Sequence, residues 1–188
     1  SYYLSSPFNL IIILFGKSQL PMLLNIIISL KIILASLTFA YFLRHAGKTP
    51  VKNGGIIVFS LFYAFSSYVV GYYWNLMWLD CIYIFPIIIL GFEKMFTKKD
   101  SRMYILALLY SFICNYYISF MICMFLVLWF FTLHFKNIKE FFVKGFRFAI
   151  ASLVTAAMSA VVLLPAYKGI MTTASAKFKL PEWEYYGK

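Results

Sequence analysis

Acidic residues are scarce in this chain. Its 188 residues include six aspartates and glutamates against seventeen lysines and arginines, and charged residues of both signs make up only 12% of it. Soluble domains draw about a quarter of their residues from Asp, Glu, Lys and Arg, so a soluble globule of this length is excluded. Metal-binding side chains are few as well. Cys81, Cys114 and Cys123 lie inside or beside apolar runs, with neither a CxxC pair nor a Cys/His ligand spacing, and read as small buried hydrophobes. His45 and His134 stand beside basic residues at expected helix ends and join no metal constellation. Also missing is a basic segment, short apolar core and small-residue cleavage site at the start, so no signal peptide is read there. With Ser1 as its first residue the chain is expected to be a piece of a larger protein.

What is abundant is apolar surface. Hydrophobic residues make up 63% of the chain and the mean hydropathy is +0.85, which places it in a bilayer. The formal charge of +11 does not indicate nucleic acid, because the basic residues punctuate apolar segments instead of forming one face. A spanning helix needs about 20 apolar residues. By that ruler, helical spans are expected over residues 20–43, 55–73, 78–96 and 146–164. "SPFNLIIILFG", residues 6–16, is too short to cross and is expected to be interfacial, re-entrant or the tail of another element.

Residues 103–133, "MYILALLYSFICNYYISFMICMFLVLWFFTL", pose a length problem. As one helix they would run about 46 Å, well beyond a hydrocarbon core of about 30 Å. Lys94, Lys98, Lys99 and Arg102 precede the stretch, and Lys136, Lys139, Lys144 and Arg147 follow it. Two helices, 103–114 and 116–135, turning near Asn115 would return both clusters to one side, as the positive-inside rule requires. Arg44, Lys48 and Lys52 join them there. The fold class is therefore all-α, a polytopic bundle of about six transmembrane helices forming a single domain over 1–188.

This topology sends the tyrosine doublets Tyr2-Tyr3, Tyr72-Tyr73, Tyr116-Tyr117 and Tyr185-Tyr186 to the opposite, outer side, together with Trp74, Trp78, Asn75 and Asn115. An aromatic belt explains part of this. The one-sidedness also suits a surface that stacks or hydrogen-bonds a polar ligand such as a sugar. Asp80, at the lip of the third span, either caps that helix or binds: sugar hydroxyls, a basic partner or a divalent cation. Lys31 falls near mid-span, where charge costs roughly 2.5 kcal/mol or more. It is expected to face the interior and meet a carboxylate or a lipid phosphate, unless it snorkels. Glu93, Lys94 and Asp100 read as solvated charge at a helix end.

In order, "SPFNLIIILF", "WNLMWLDCIYIFPIIILGFEKM", "NYYISFMICMFLVLWF" and "ASLVTAAMSAVVLLPAY" resemble the bacterial YfhO family of large membrane proteins, nearly end to end. Its members are similar to GT-C glycosyltransferases. The resemblance implies a GT-C-like bundle fragment that helps move a sugar from a polyprenyl-phosphate-linked donor to an envelope polymer such as lipoteichoic acid, at the outer face of the bacterial cytoplasmic membrane. It also implies that the catalytic acid lies in a first outer loop, which here would precede Ser1, so no catalytic residue is assigned within the chain. The expected substrate contacts are Asp80, Asn75, Trp74, Trp78, Asn115, Tyr117 and Lys31, with Lys168, Lys177 and Lys179 as further candidates for the phosphate. The expected partners are the lipid bilayer, the donor and the acceptor, and nucleic acid is not among them. No cofactor is expected either, a divalent cation being the one ion left open. A transporter or flippase of a lipid-linked or polar substrate is the main rival, and a non-catalytic scaffold for envelope synthesis the second.

Overall fold

A computed structural model describes residues 6–47 and 52–172, and every regular element among them is helical. Tyr2-Tyr3, Lys48, Lys177, Lys179 and Tyr185-Tyr186 lie outside the described residues. A single turn, α1 (Pro7–Leu10), and two 3-10 turns lead into α2 (Leu20–His45). Then follow α3 (Asn53–Ala64), α4 (Ser67–Tyr72), α5 (Leu76–Thr97), α6 (Arg102–Cys114), α7 (Tyr116–Thr132), α8 (Ile138–Met158) and α9 (Ala160–Thr172). Leu20–His45, Asn53–Tyr72, Leu76–Thr97 and Ile138–Met158 are each long and apolar enough to cross a bilayer. The chain is a polytopic helical membrane protein.

Contacts fix the helix directions. Cys81 meets Ser111 and Gly91 meets Tyr104, so α5 and α6 run antiparallel. Phe85 packs on Phe125 and Phe96 on Phe130, so α7 runs parallel to α5 and α6–α7 is a hairpin. Lys31 lies beside Asp80, and Lys94 sits over the Tyr41 ring, so α2 also runs with α5. One end of the bundle therefore gathers His45, Lys94, Lys98, His134 and Lys144 around a shared cleft, while Asp80, Ser111 and Asn115 lie toward the other. The core between α5, α6, α7 and α8 is built from Phe92, Met95, Tyr104, Leu108, Leu126 and Phe130. Cys81 and Cys114 are buried there, and Cys81 lies against the Ser111 and Ser119 hydroxyl pair as a small core side chain.

Two breaches of helix geometry are repaired by neighbours. Pro86 lies inside α5 and cannot donate to the carbonyl of Ile82, four residues back. The Tyr63 hydroxyl of α3 donates to that carbonyl at 2.7 Å. In a bilayer core, where water cannot serve, such a partner is required. At the hairpin, Asn115 caps α7: its side-chain oxygen accepts the N–H groups of Tyr117 at 3.0 Å and Ile118 at 3.2 Å. Asn115→Ala is expected to cost about 1 kcal/mol, read as a lower Tm of the full-length protein in detergent. Asn115→Ser keeps a capping oxygen and should recover most of the loss; equal losses in both variants would rule the cap out as the cause.

The residue 103–133 stretch folds as two helices, breaking where Asn115 takes an extended backbone at φ −158°. Two other boundaries differ from those read in the sequence. Residues 55–73 do not form one rod, because α3 ends at Ala64 and Ser66, with ψ 153°, starts a fresh helix. The final helix begins at Ile138, earlier than its charges suggest, since the Glu140 and Lys144 pair at 2.8 Å supports that exposed first turn. It then breaks at Ser159, whose hydroxyl bonds back to the carbonyls of Thr155 and Ala156, a habit that bends helices.

Candidate functional site

The feature that organises the non-basic end of the bundle is an ion pair. Lys31 projects from α2 and Asp80 from α5, with Nζ and Oδ2 2.7 Å apart and both side chains fully buried. Lys31 also donates to the backbone carbonyl of Leu76 at 3.0 Å and to Asn9 Oδ1 at 3.1 Å. Ser6 donates to Asp80 Oδ1 at 3.0 Å, so both carboxylate oxygens are engaged. Three separate elements, α2, α5 and the segment around α1, therefore share one polar knot. Phe8 adds an edge-on contact to Tyr83, with ring centroids 6.1 Å apart, and Tyr83 is hydrogen-bonded to Tyr110 of α6. Among the described residues no buried side-chain nitrogen or oxygen lacks a partner.

This corrects one reading of Asp80 drawn from the sequence. Asp80 is not a helix cap at a loop, because α5 already starts at Leu76 and Asn75 occupies the cap position. It lies on the second turn, facing inward. Lys31 does face the interior and meets a carboxylate. Burying two charges costs several kcal/mol per ion, and only close pairing with further hydrogen bonds offsets that cost. The Ser6, Asn9 and Leu76 contacts supply those bonds.

The remaining candidates divide into two groups. Asn115 has its side chain committed to the start of α7. Asn75 is buried in the α4–α5 turn and makes no capping bond with its side chain. Trp74, 61% exposed, leans on Tyr72 with centroids 6.4 Å apart, and Trp78 lies between Tyr68 at 6.3 Å and Tyr72 at 5.7 Å. These four rings, two from α4, Trp74 from the turn and Trp78 from the first turn of α5, form an aromatic shelf at the start of the helix that carries Asp80. Tyr117, 55% exposed, does not join it; it lines a separate apolar groove with Phe112, Phe120, Leu163 and Tyr167. Ser6 and Asn9 were not singled out in the sequence, although two polar residues three apart beside an apolar run were the available signal. Among the described residues no three His, Cys, Asp or Glu side chains converge. Both oxygens of Asp80 are engaged, one by Lys31 and one by Ser6.

The family model described as bacterial membrane protein YfhO matches residues 1–185. The chain belongs to the YfhO family. No curated protein and no solved structure matches it. As a YfhO-family membrane protein it crosses the bilayer repeatedly, and the blocks "WNLMWLD" and "NYYISFMIC" contribute the aromatic shelf, one half of the ion pair and the α6–α7 turn.

Proposed function

We propose that this YfhO-family chain is part of a membrane glycosyltransferase that moves a sugar from a polyprenyl-phosphate carrier to a cell-envelope polymer such as lipoteichoic acid, at the outer face of the bacterial cytoplasmic membrane. The observation that carries the reading is the aromatic shelf of exposed Tyr68, Tyr72 and Trp74 with half-buried Trp78, at the end of the bundle away from the lysine-rich turns. Ring faces offer broad apolar contact to the C–H face of a sugar. The side-chain amide of Asn75, buried beside them and making no capping bond, is the candidate partner for the sugar's hydroxyls. Lys31 and Asp80 then act as positioning residues, holding α5 and its shelf at a fixed height. Lys168, exposed near the end of α9, is the candidate charge for the departing phosphate. The acid that activates the acceptor hydroxyl is assigned to no residue of this chain.

A second reading, transporter or flippase, draws on the helix breaks at residues 65–66 and 159 and on the intramembrane ion pair, features that such proteins share. Full-length protein in liposomes with a labelled polyprenyl-phosphate sugar separates the two. The glycosyltransferase reading expects label in the acceptor polymer, and Trp74→Ala should cut that transfer about threefold to tenfold while Trp74→Phe retains it. Movement of intact donor between leaflets without transfer would favour the rival, and wild-type protein that transfers nothing would overturn the proposal.

A further inference from the structure

The basic end carries a groove that the sugar chemistry does not use. Ser101, Ile105, Val143, Phe146, Ile150 and Val154 line a cavity of about 350 Å³ between α6 and α8, with Arg147 on its wall. Phe146, Ile150 and Val154 stay exposed, so this face of α8 is left apolar and uncovered among the described residues. Arg147 is half-buried and gives one guanidinium N–H to the Met95 carbonyl at 3.2 Å, leaving its other donors for a ligand. Arg102 follows Ser101 at the rim, and Lys98 and Lys99 occupy the preceding turn. The only carboxylate in that turn, Asp100, accepts the backbone N–H of Arg102 at 3.0 Å.

We propose that this groove binds an anionic phospholipid, with its phosphate at Arg147 and Arg102 and an acyl chain laid along Ile105, Ile150 and Val154. Charge complementarity selects the occupant. Arg147 lines the groove, and Arg102 adjoins Ser101 in its wall with Asp100 the carboxylate beside it, so a zwitterionic lipid or a neutral protein helix gains much less there. Length agrees as well: from Arg147 to the end of α8 at Met158 is eleven residues, about 16 Å of helix, which matches one leaflet of a hydrocarbon core about 30 Å thick. Arg147 can fork onto a phosphate where a lysine would act as a point charge, so its geometry adds to its charge. The site lies at the opposite end of the bundle from the aromatic shelf and stands whether or not the sugar-transfer reading does.

The experiment is native mass spectrometry of the full-length protein titrated with phosphatidylglycerol and, separately, with phosphatidylcholine. The expected result is a preference of about tenfold for phosphatidylglycerol, abolished in the Arg102→Gln/Arg147→Gln double variant and kept in Arg44→Gln/Lys52→Gln, which removes two cations from the α2–α3 end instead. Val154→Trp, which fills the groove from an exposed lining position without touching charge, should also abolish the preference and covers the case in which the arginine variant fails to fold. Millimolar inorganic phosphate should not displace the lipid. Equal binding of both lipids, an equal loss in Arg44→Gln/Lys52→Gln, or full retention in Val154→Trp would each overturn the proposal, the first being the result expected if another protein segment covers this face.

Discussion

Asp80→Asn should lower the stability of the full-length protein by about 3 to 5 kcal/mol, because it leaves the Lys31 ammonium buried without a counter-charge. Lys31→Met should cost a similar amount by stranding the carboxylate. The informative variant is the double one, Lys31→Met with Asp80→Asn. Removing both charges removes both desolvation penalties, so its loss should be much smaller than the sum of the single losses. It will not vanish, since Ser6 and Asn9 lose partners at about 1 to 3 kcal/mol for each group left unsatisfied. Thermal unfolding of the four proteins in one detergent gives the cycle. Additive losses would show that the pair is not coupled, and the knot would then have no structural role. Sugar transfer by the double variant separates positioning from contact. A pair that only holds α5 in place permits transfer once stability returns, whereas a pair that touches substrate does not.

Gly91→Ala should be nearly as damaging, although it adds one methyl group. A Cβ at this position would lie 2.6 Å from the Tyr104 backbone nitrogen and 2.8 Å from its Cα. Backbone cannot rotate away as a side-chain tip can, so α5 and α6 would have to separate along their shared face. Overpacking of this kind costs about 1 to 3 kcal/mol or more, and here it also disturbs Phe92, Tyr104 and Leu108, which are fully buried beside it. Gly145→Ala is the natural comparison: its nearest contact would be the ring edge of Phe130 at 3.5 Å, an ordinary approach. Equal Tm values for Gly91→Ala and wild type would mean that the two helices do not approach as closely as described.

The helical class, the membrane setting and the hairpin at Asn115 were legible because each rests on length, apolar content or charge placement, which a sequence states directly. The α6–α7 turn is an instructive case: 31 residues are too many for one crossing, and lysines at both ends require a return. The break at Ser66 and the early start of α8 were not legible. The first is marked only by the Ser66-Ser67 pair, a cap residue type that makes no side-chain capping bond here, and the second depends on one ion pair overriding the usual sense of charge as a boundary. At the site, the cost of a lysine in mid-span pointed to Lys31, and the scarcity of acids pointed to Asp80. That these two belong to each other is a fact of packing between helices 49 residues apart in sequence. The roles of Ser6 and Asn9 were hidden for the same reason, since a short polar side chain near a proline signals a turn before it signals a buried partner.

The sequence distance between Lys31 and Asp80 has a consequence for biogenesis. The ribosome delivers Lys31 49 residues ahead of the only carboxylate that neutralises it among the described residues. Throughout that interval α2 carries an orphan cation that lipid tails reject, while Ser6 and Asn9, translated first, are the members of the eventual shell already present. The ion pair that joins α2 to α5 can therefore close only after α5 has been made, which places this contact late in assembly.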